Sequence, residues 1–298
     1  MGSWLVDELI AQDHEVIALD NLEGGKAKNV NAKADFVYAD LRNKTNCELV
    51  MQQRPEVIFH LSAYAAEGAS VFNPVYTVES NLISFLNLFT SALNVGFETF
   101  VFTSSMATYG TGDGLHNIQK LKIRIGTRDL PTIDSNLGFF EEMLPEPVDP
   151  YGMTKANIER FLELYSEEFG FKYVILRPHN VYGPRQNLAD PYRNVLGIWM
   201  NRIMQDKAPV IYGDGEQTRA WTYIGDCTPY IAKAAWTKEA YGEIFNVGSE
   251  EVHTVNEACE IVMDAMDYKG VWAHVAPRPM EVKHAWCSSH KAEKILGY

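Results

Sequence analysis

The sequence predicts a doubly wound α/β protein with a smaller C-terminal lobe, and three observations carry that expectation. Short apolar runs at 14–21, 35–41, 56–61, 97–105 and 172–178 alternate with segments of helical period, the pattern of parallel strands joined by helical crossovers. The run Glu56-Val57-Ile58-Phe59-His60-Leu61 is nearly continuous in apolar residues, as a strand covered on both faces requires. Beyond Gly183-Pro184 the apolar period loosens and aromatics rise (Trp199, Tyr212, Trp221, Tyr223, Trp236), which marks a change of architecture.

Taken in order, residues 1–11 space their apolar side chains as a helix. The run 14–21 is a buried strand ending in Asp20 and Asn21. Helix, strand and terminal acid form the second half of a βαβ dinucleotide-binding unit, where the acid accepts hydrogen bonds from ribose hydroxyls. Asp20 reads equally well as a turn residue before Asn21. Gly2 would be the last glycine of the phosphate-binding fingerprint, and no strand and no Gly-x-x-Gly stand before it. Residues 35–41 give a further strand, 43–54 a helix stopped by Pro55, and 56–61 a strand followed by the small residues Ser62-Ala63-Tyr64-Ala65-Ala66. A long helix over 75–94 carries Asn81, and the strand 97–105 ends in hydroxyls. Residues 111–141 exceed an ordinary connection and read as an insertion, with 121–125 alternating like a strand. The helix after Asp149-Pro150 runs to Gly170, and 172–178 is the next strand. Residues 1–180 are thus expected to form a Rossmann-like dinucleotide-binding domain, and 181–298 mainly a substrate lobe interleaved with it.

Composition narrows the function. The chain has 298 residues, 46% hydrophobic and 22% charged, with a formal charge of −13. That size suits one large domain or two coupled ones. An acidic surface argues against nucleic acid or anionic membrane as the main partner. No apolar run approaches the roughly 20 residues of a membrane span, and no secretory signal opens the chain. The four cysteines are scattered and read as reduced thiols rather than metal ligands or disulfides. A soluble cytoplasmic protein without a metal is expected.

The stretch Tyr151-Gly152-Met153-Thr154-Lys155 carries the chemistry. A tyrosine and a lysine four apart stand on one helix face. An ammonium beside a phenol favours the phenolate, and a phenol tuned that way can take a proton from a sugar hydroxyl. Arg219 and Arg278 lie in the C-terminal lobe, either as solvated surface residues or as phosphate ligands, since a guanidinium grips phosphate bidentately.

These residues and their order resemble the extended short-chain dehydrogenases/reductases that act on nucleotide sugars, within them the UDP-glucose/UDP-galactose 4-epimerase group. The matching stretches include Leu19-Asp20-Asn21-Leu22, Asp40-Leu41, His60-Leu61-Ser62-Ala63, Asn81, Thr103-Ser104-Ser105, Asp149-Pro150-Tyr151-Gly152-Met153-Thr154-Lys155, Arg177-Pro178-His179-Asn180 and Pro277-Arg278-Pro279-Met280-Glu281. The resemblance implies Tyr151 as base, Lys155 as its partner and a ligand of the nicotinamide ribose, and Ser105 as a hydroxyl bridging Tyr151 and the sugar. It implies NAD held by Gly2, Asp20, Asn21, Asp40, Leu41, Leu61, Ala63, Asn81, Lys155, Pro178 and His179. It implies a nucleotide-sugar substrate, a UDP-sugar, held by Ser105, Tyr151, Asn180, Asn194, Val195, Tyr212, Arg219, Arg278 and Glu281. Family members epimerise C4 through a 4-keto sugar and assemble as homodimers through the helices that here carry 81–94 and 151–169. Met106 and Ala107 stand where the dehydratases and decarboxylases of the family carry an acid, which favours simple epimerisation. The family's gate beside the sugar aligns with Ala285, a small residue that leaves room for an N-acetyl group.

Two alternatives stay open at this point: an epimerase of another sugar such as UDP-glucuronate, and a catalytically dead fragment or a regulator that binds NAD or a nucleotide sugar. The absent first strand and glycines predict a truncated chain with two unpaired strand edges in its sheet and weak NAD binding.

Overall fold

A computed structural model describes residues 1–111 and 138–298. The expected strand at 121–125, and most of the expected insertion at 111–141, lie outside the described residues.

Helix α1 (Gly2–Ala11) buries Leu5 and Leu9, four apart on one face. Strands β1 (Ile17–Asp20) and β2 (Asp35–Tyr38) follow. Asn43 caps α2 (Lys44–Met51) by accepting the Thr45 N–H at 3.0 Å. Next come β3 (Val57–His60) and a short helix that nothing in the sequence signals, α3 (Glu67–Ser70). The helix expected over 75–94 divides. Its ends are α4 (Pro74–Val78) and α5 (Ser84–Val95), joined by a π-helical turn over Glu79–Ile83 that carries Asn81. β4 (Thr99–Thr103) leads to the described end at 111. After Asp149 comes α6 (Pro150–Phe169), then β5 (Lys172–Pro178).

The remaining elements are β6 (Val181–Tyr182), α7 (Val195–Ile203), β7 (Val210–Tyr212), β8 (Thr218–Ala220), β9 (Thr222–Tyr223), α8 (Ile224–Ala234), β10 (Glu243–Val247), β11 (Val252–Thr254), α9 (Val255–Ala265), β12 (Ala273–Val275), β13 (His284–Ala285) and α10 (His290–Leu296).

The main sheet has the order β10-β5-β4-β3, every pair parallel. One face packs Val101, Val174, Leu176 and Phe245 against α1 and α8. The other packs Phe100, Phe102 and Ile175 against α5 and α6 through Phe85, Phe89, Ile158 and Leu162. Helices on both faces of a parallel sheet are the architecture the sequence predicts.

The sheet is nevertheless in two parts among the described residues. β1 pairs only with β2, in parallel, and β3 pairs only with β4. Each therefore leaves one edge without a strand partner, as the sequence predicts. The consequence is visible in burial. All five residues of β4 are buried, whereas Ile17, Ala18 and Leu19 of β1 are only half-buried. The two open edges, through residues such as Ala18, Leu19, Ile58 and Phe59, line one continuous cleft of about 2010 Å3 with the candidate site.

Candidate active site

Helix α6 presents Tyr151 and Lys155 because its start is strongly fixed. Asp149 accepts the Gly152 N–H at 2.9 Å, and Pro150 fills the first helical position, where no N–H is needed. Gly152 lets the helix close on the turn that follows β4. A Cβ there would sit 2.6 Å from the Ala107 carbonyl oxygen and 3.0 Å from the Pro147 side chain. That approach brings Ser105 to hydrogen-bonding reach of the Tyr151 phenol. Ser105 also caps its own turn by accepting the Ala107 N–H at 3.1 Å.

The Lys155 ammonium donates to the carbonyl of Thr103, the last residue of β4, at 2.7 Å. Nζ lies 4.7 Å from the centre of the Phe102 ring and 5.9 Å from that of Tyr151. Burial pushes its pKa down to about 7. The Tyr151 phenol moves the other way from the sequence-based expectation. Burial pushes its pKa up and the Glu67 carboxyl adds to the rise, while the bond to Ser105 opposes it. The lysine, turned to the Thr103 carbonyl, is not what sets the phenol's state. Helical spacing predicted the neighbourhood of the pair but not the cost of burying it.

At the far end of the cleft, Asp20 ends β1 with its carboxylate exposed, one oxygen accepting the Leu22 N–H at 2.6 Å. Asn21 turns to Asp40, donating at 3.1 Å. The Arg42 guanidinium grips Asp40 and holds its carboxyl down at about 2. Leu41, Leu61 and Ala63 line the cleft between these ends, and Gly2 opens α1 onto it with free space where a side chain would start. These residues fit a dinucleotide. A free carboxylate stands where ribose hydroxyls can be held, a helix N-terminus opens where a diphosphate can be held, and Lys155 lines the same cleft.

In the C-terminal part of the chain, Arg219 Nη2 donates to the Val282 carbonyl at 2.6 Å and lies 3.7 Å from Glu281. Arg278 stacks on Tyr212, its guanidinium carbon 4.1 Å from the ring centre. Both arginines line the cleft with Glu281. Asn180 and Asn194 reach it too, although their amides also hold backbone. Asn180 donates to the Ala220 carbonyl at 2.8 Å, and Asn194 donates to that of Val181 at 3.1 Å while capping α7 at Val195. Pro178 lines the same space.

Two predicted cofactor contacts are not where the sequence puts them. Asn81 is buried beneath the cleft and spends its amide on structure. It accepts the Tyr64 N–H at 2.6 Å and donates to the Thr154 hydroxyl at 3.1 Å. It ties the loop after β3 to α6. His179 is also buried off the cleft, its Nε2 2.9 Å from the Ser249 carbonyl oxygen. A Cβ on Gly248 would fall 2.1 Å from that ring, so the glycine exists to seat the histidine. The amide of Asn81 has protein partners on both its atoms, whereas the His179 ring is held through Nε2 and its Nδ1 is buried without a hydrogen-bond partner.

One residue was missed. Glu67, in α3, projects into the cleft near Tyr151, Arg219 and Arg278. The signal available was an acid directly after small residues at the carboxyl end of a strand. Although the residue is exposed to the cleft, the protein packed around it pushes its pKa up to about 7, Asp149 adding to the rise and the two arginines opposing it.

The geometry defines a dinucleotide-binding α/β enzyme of short-chain dehydrogenase/reductase type, with Ser105, Tyr151 and Lys155 lining its cleft. The chain belongs to the NAD dependent epimerase/dehydratase family, whose family model matches residues 1–248, and NAD is its cofactor. It is 33% identical to a putative UDP-glucose 4-epimerase of Methanocaldococcus jannaschii over 99% of this chain and 88% of that one. Among solved structures it is similar to the Thermus thermophilus UDP-glucose 4-epimerase in complex with NAD, at 32% identity and TM-score 0.84, covering 98% of this chain and 88% of that one. The Thermotoga maritima UDP-glucose 4-epimerase with UDP-glucose matches at 29% identity and TM-score 0.85, over 100% of this chain and 89% of that one.

Proposed function

We propose that this protein interconverts UDP-glucose and UDP-galactose by epimerisation at C4. The observation that supports the reading is that Ser105, Tyr151 and Lys155 line one cleft together with Asp20, Arg219 and Arg278. The nucleotide sugar lies with its diphosphate on the two arginines and its sugar beside Tyr151. Arginine forks suit phosphate oxygens, and Val195, Tyr212 and Glu281 complete that arm.

NAD, when bound, supplies the acceptor and donor of a hydride. Every other task falls to the chain. Tyr151 takes the proton of the sugar 4-hydroxyl and returns it, and Ser105 holds that hydroxyl in line. Lys155 is fixed on the Thr103 carbonyl, so its position does not depend on the substrate. Orientation of the reacting groups supplies most of the acceleration. Met106 and Ala107 beside Ser105 offer no proton-transfer group, which supports epimerisation over dehydration or decarboxylation.

A second substrate is supported by Ala285. It is buried at the cleft wall opposite Arg219 in the β13–β8 pairing, and its small side chain leaves room for an N-acetyl group on the sugar. The chain acts as a homodimer in this reading. The exposed apolar residues Ile83, Met153, Leu164 and Phe169 on the turn before α5 and on α6 support it.

The test is incubation of the NAD-supplemented protein with UDP-galactose and an assay for UDP-glucose. Turnover lost in Tyr151→Phe and present in wild type supports the reading. No turnover of either UDP-hexose by wild type saturated with NAD overturns it.

A further inference from the structure

Glu67 is the acid of the cleft that neither the catalytic set nor the arginine arm explains. It rises from α3, which packs on the start of α6 beneath Tyr151 through Ser70, whose hydroxyl lies 3.3 Å from the Tyr151 N–H and 3.5 Å from Asp149. The residue after it, Gly68, has its Cβ direction 3.8 Å from Arg278. Glu67 therefore lines the same cleft as Tyr151, Arg219 and Arg278, the space the reading above assigns to the sugar. Its side chain is open to the cleft space while protein surrounds it. Among the described residues no backbone N–H or side chain donates a hydrogen bond to its carboxyl. The carboxyl is thus exposed to the cleft with no protein donor, free to accept a hydrogen bond from a ligand that enters.

We propose that Glu67 sets the charge class of the sugar: its carboxyl accepts hydrogen bonds from hydroxyls of an uncharged hexose and excludes a sugar that carries a carboxylate. This deepens the nucleotide-sugar reading above and rests on it. A hexuronate would bring a second negative charge beside Glu67, Asp149 and Glu281. Arg219 and Arg278 would be the available compensation, and the diphosphate claims both. Like charges brought together in an enclosed site are costly, and specificity is often built from such repulsion. The groups facing Glu67 are thus Tyr151 and Asp149 at the start of α6, and Arg219, Arg278 and Glu281 from the C-terminal part of the chain. The same geometry gives the preference a pH dependence. The Glu67 carboxyl is ionised above about pH 7, so discrimination is stronger at pH 8 than at pH 6.

The experiment is calorimetric binding of UDP-glucose and UDP-glucuronate to the full chain in the presence of NAD, with wild type, Glu67→Gln and Glu67→Asp. Wild type is expected to prefer UDP-glucose by about tenfold or more at pH 8. Glu67→Gln should reduce that ratio to within about threefold, through tighter UDP-glucuronate binding, and Glu67→Asp, which keeps the charge, should preserve it. A ratio unchanged in Glu67→Gln overturns the proposal, and so does a wild type that binds both ligands equally. If wild type binds UDP-glucose selectively but interconverts nothing, the epimerase reading falls and the role of Glu67 stands. A wild type that binds neither nucleotide sugar overturns both.

Discussion

Lys155 donates to the Thr103 carbonyl at 2.7 Å while its ammonium stands 5.9 Å from the Tyr151 ring centre. A charge is thus held in the interior by one backbone oxygen, and burial depresses its pKa to about 7 from 10.5. Between those values the unfolded chain binds a proton that the folded chain does not. Stability from this group therefore rises with pH across about 7 to 10.5, and below pH 7 the fold bears the full cost of the buried charge. Lys155→Met is expected to unfold at higher urea concentration than wild type at pH 6, with the gap closing toward pH 10. Its turnover should fall by about 100-fold or more, the scale on which acid–base partners act. A pH-independent gap in urea midpoint would show that folding leaves the lysine at its unfolded pKa, charged and unperturbed.

The site stands on a second buried charge pair. Glu159 and Arg177 are both almost wholly buried, Arg177 Nε donating to Glu159 at 2.9 Å. Ser104, next to the catalytic serine, donates to the same carboxylate, and Arg177 lies over the Tyr109 ring at 4.5 Å. Removing one partner strands the other charge. Glu159→Ala should cost about 3–5 kcal/mol in chemical unfolding, and the double change Glu159→Leu with Arg177→Met should cost much less. A double variant as unstable as Glu159→Ala would mean that the pair contributes more than mutual neutralisation.

Much of this was legible in the chain. Apolar runs alternating with helical period placed β1 to β5 in their correct places, because burial on both faces forces a continuous apolar run. The Asp149-Pro150 start of α6 was legible because capping is local. The division of the long helix at Asn81 was not. The π-helical turn follows from an amide that must reach Tyr64 and Thr154 at once, and those partners come from other elements. The seat of the His179 ring was illegible for a like reason, since Gly248 on a distant loop makes room for it. Glu67 escaped notice because its meaning comes from Tyr151 and Arg278, which only the folded chain brings to it.

The divided sheet has a measurable consequence. β4 is flanked by β3 and β5, whereas β1 has β2 alone. Backbone amides exchange by local opening, which is easiest where few neighbours must move. Peptides covering 17–20 and 35–38 are expected to take up deuterium well before those covering 99–103 and 172–178. NAD, by bridging Asp20 and Lys155, should slow the first pair most. Equal protection of β1 and β4 without ligand would show that the two parts act as one sheet. The same edges predict weak binding of NAD, so a dinucleotide that stays with the chain through purification would count against that expectation.

The arginine arm gives the last prediction. Arg219 is held by carbonyl oxygens of Val282 and Lys283 and by Glu281, and Arg278 by the face of Tyr212. Neither is a freely mobile surface charge, so each can bind phosphate without first losing side-chain entropy. Because the diphosphate does not change during reaction at the sugar, these contacts are equally strong in ground and transition states. Uniform binding of that kind lowers KM and leaves kcat alone. Arg219→Met and Arg278→Met should each raise KM for UDP-galactose by about 10- to 100-fold, the scale of a charge-assisted hydrogen bond, with kcat within about threefold of wild type. Binding of UDP without sugar should weaken by the same factor. A variant that loses kcat and keeps its affinity for UDP would move that arginine from the diphosphate to the reacting sugar.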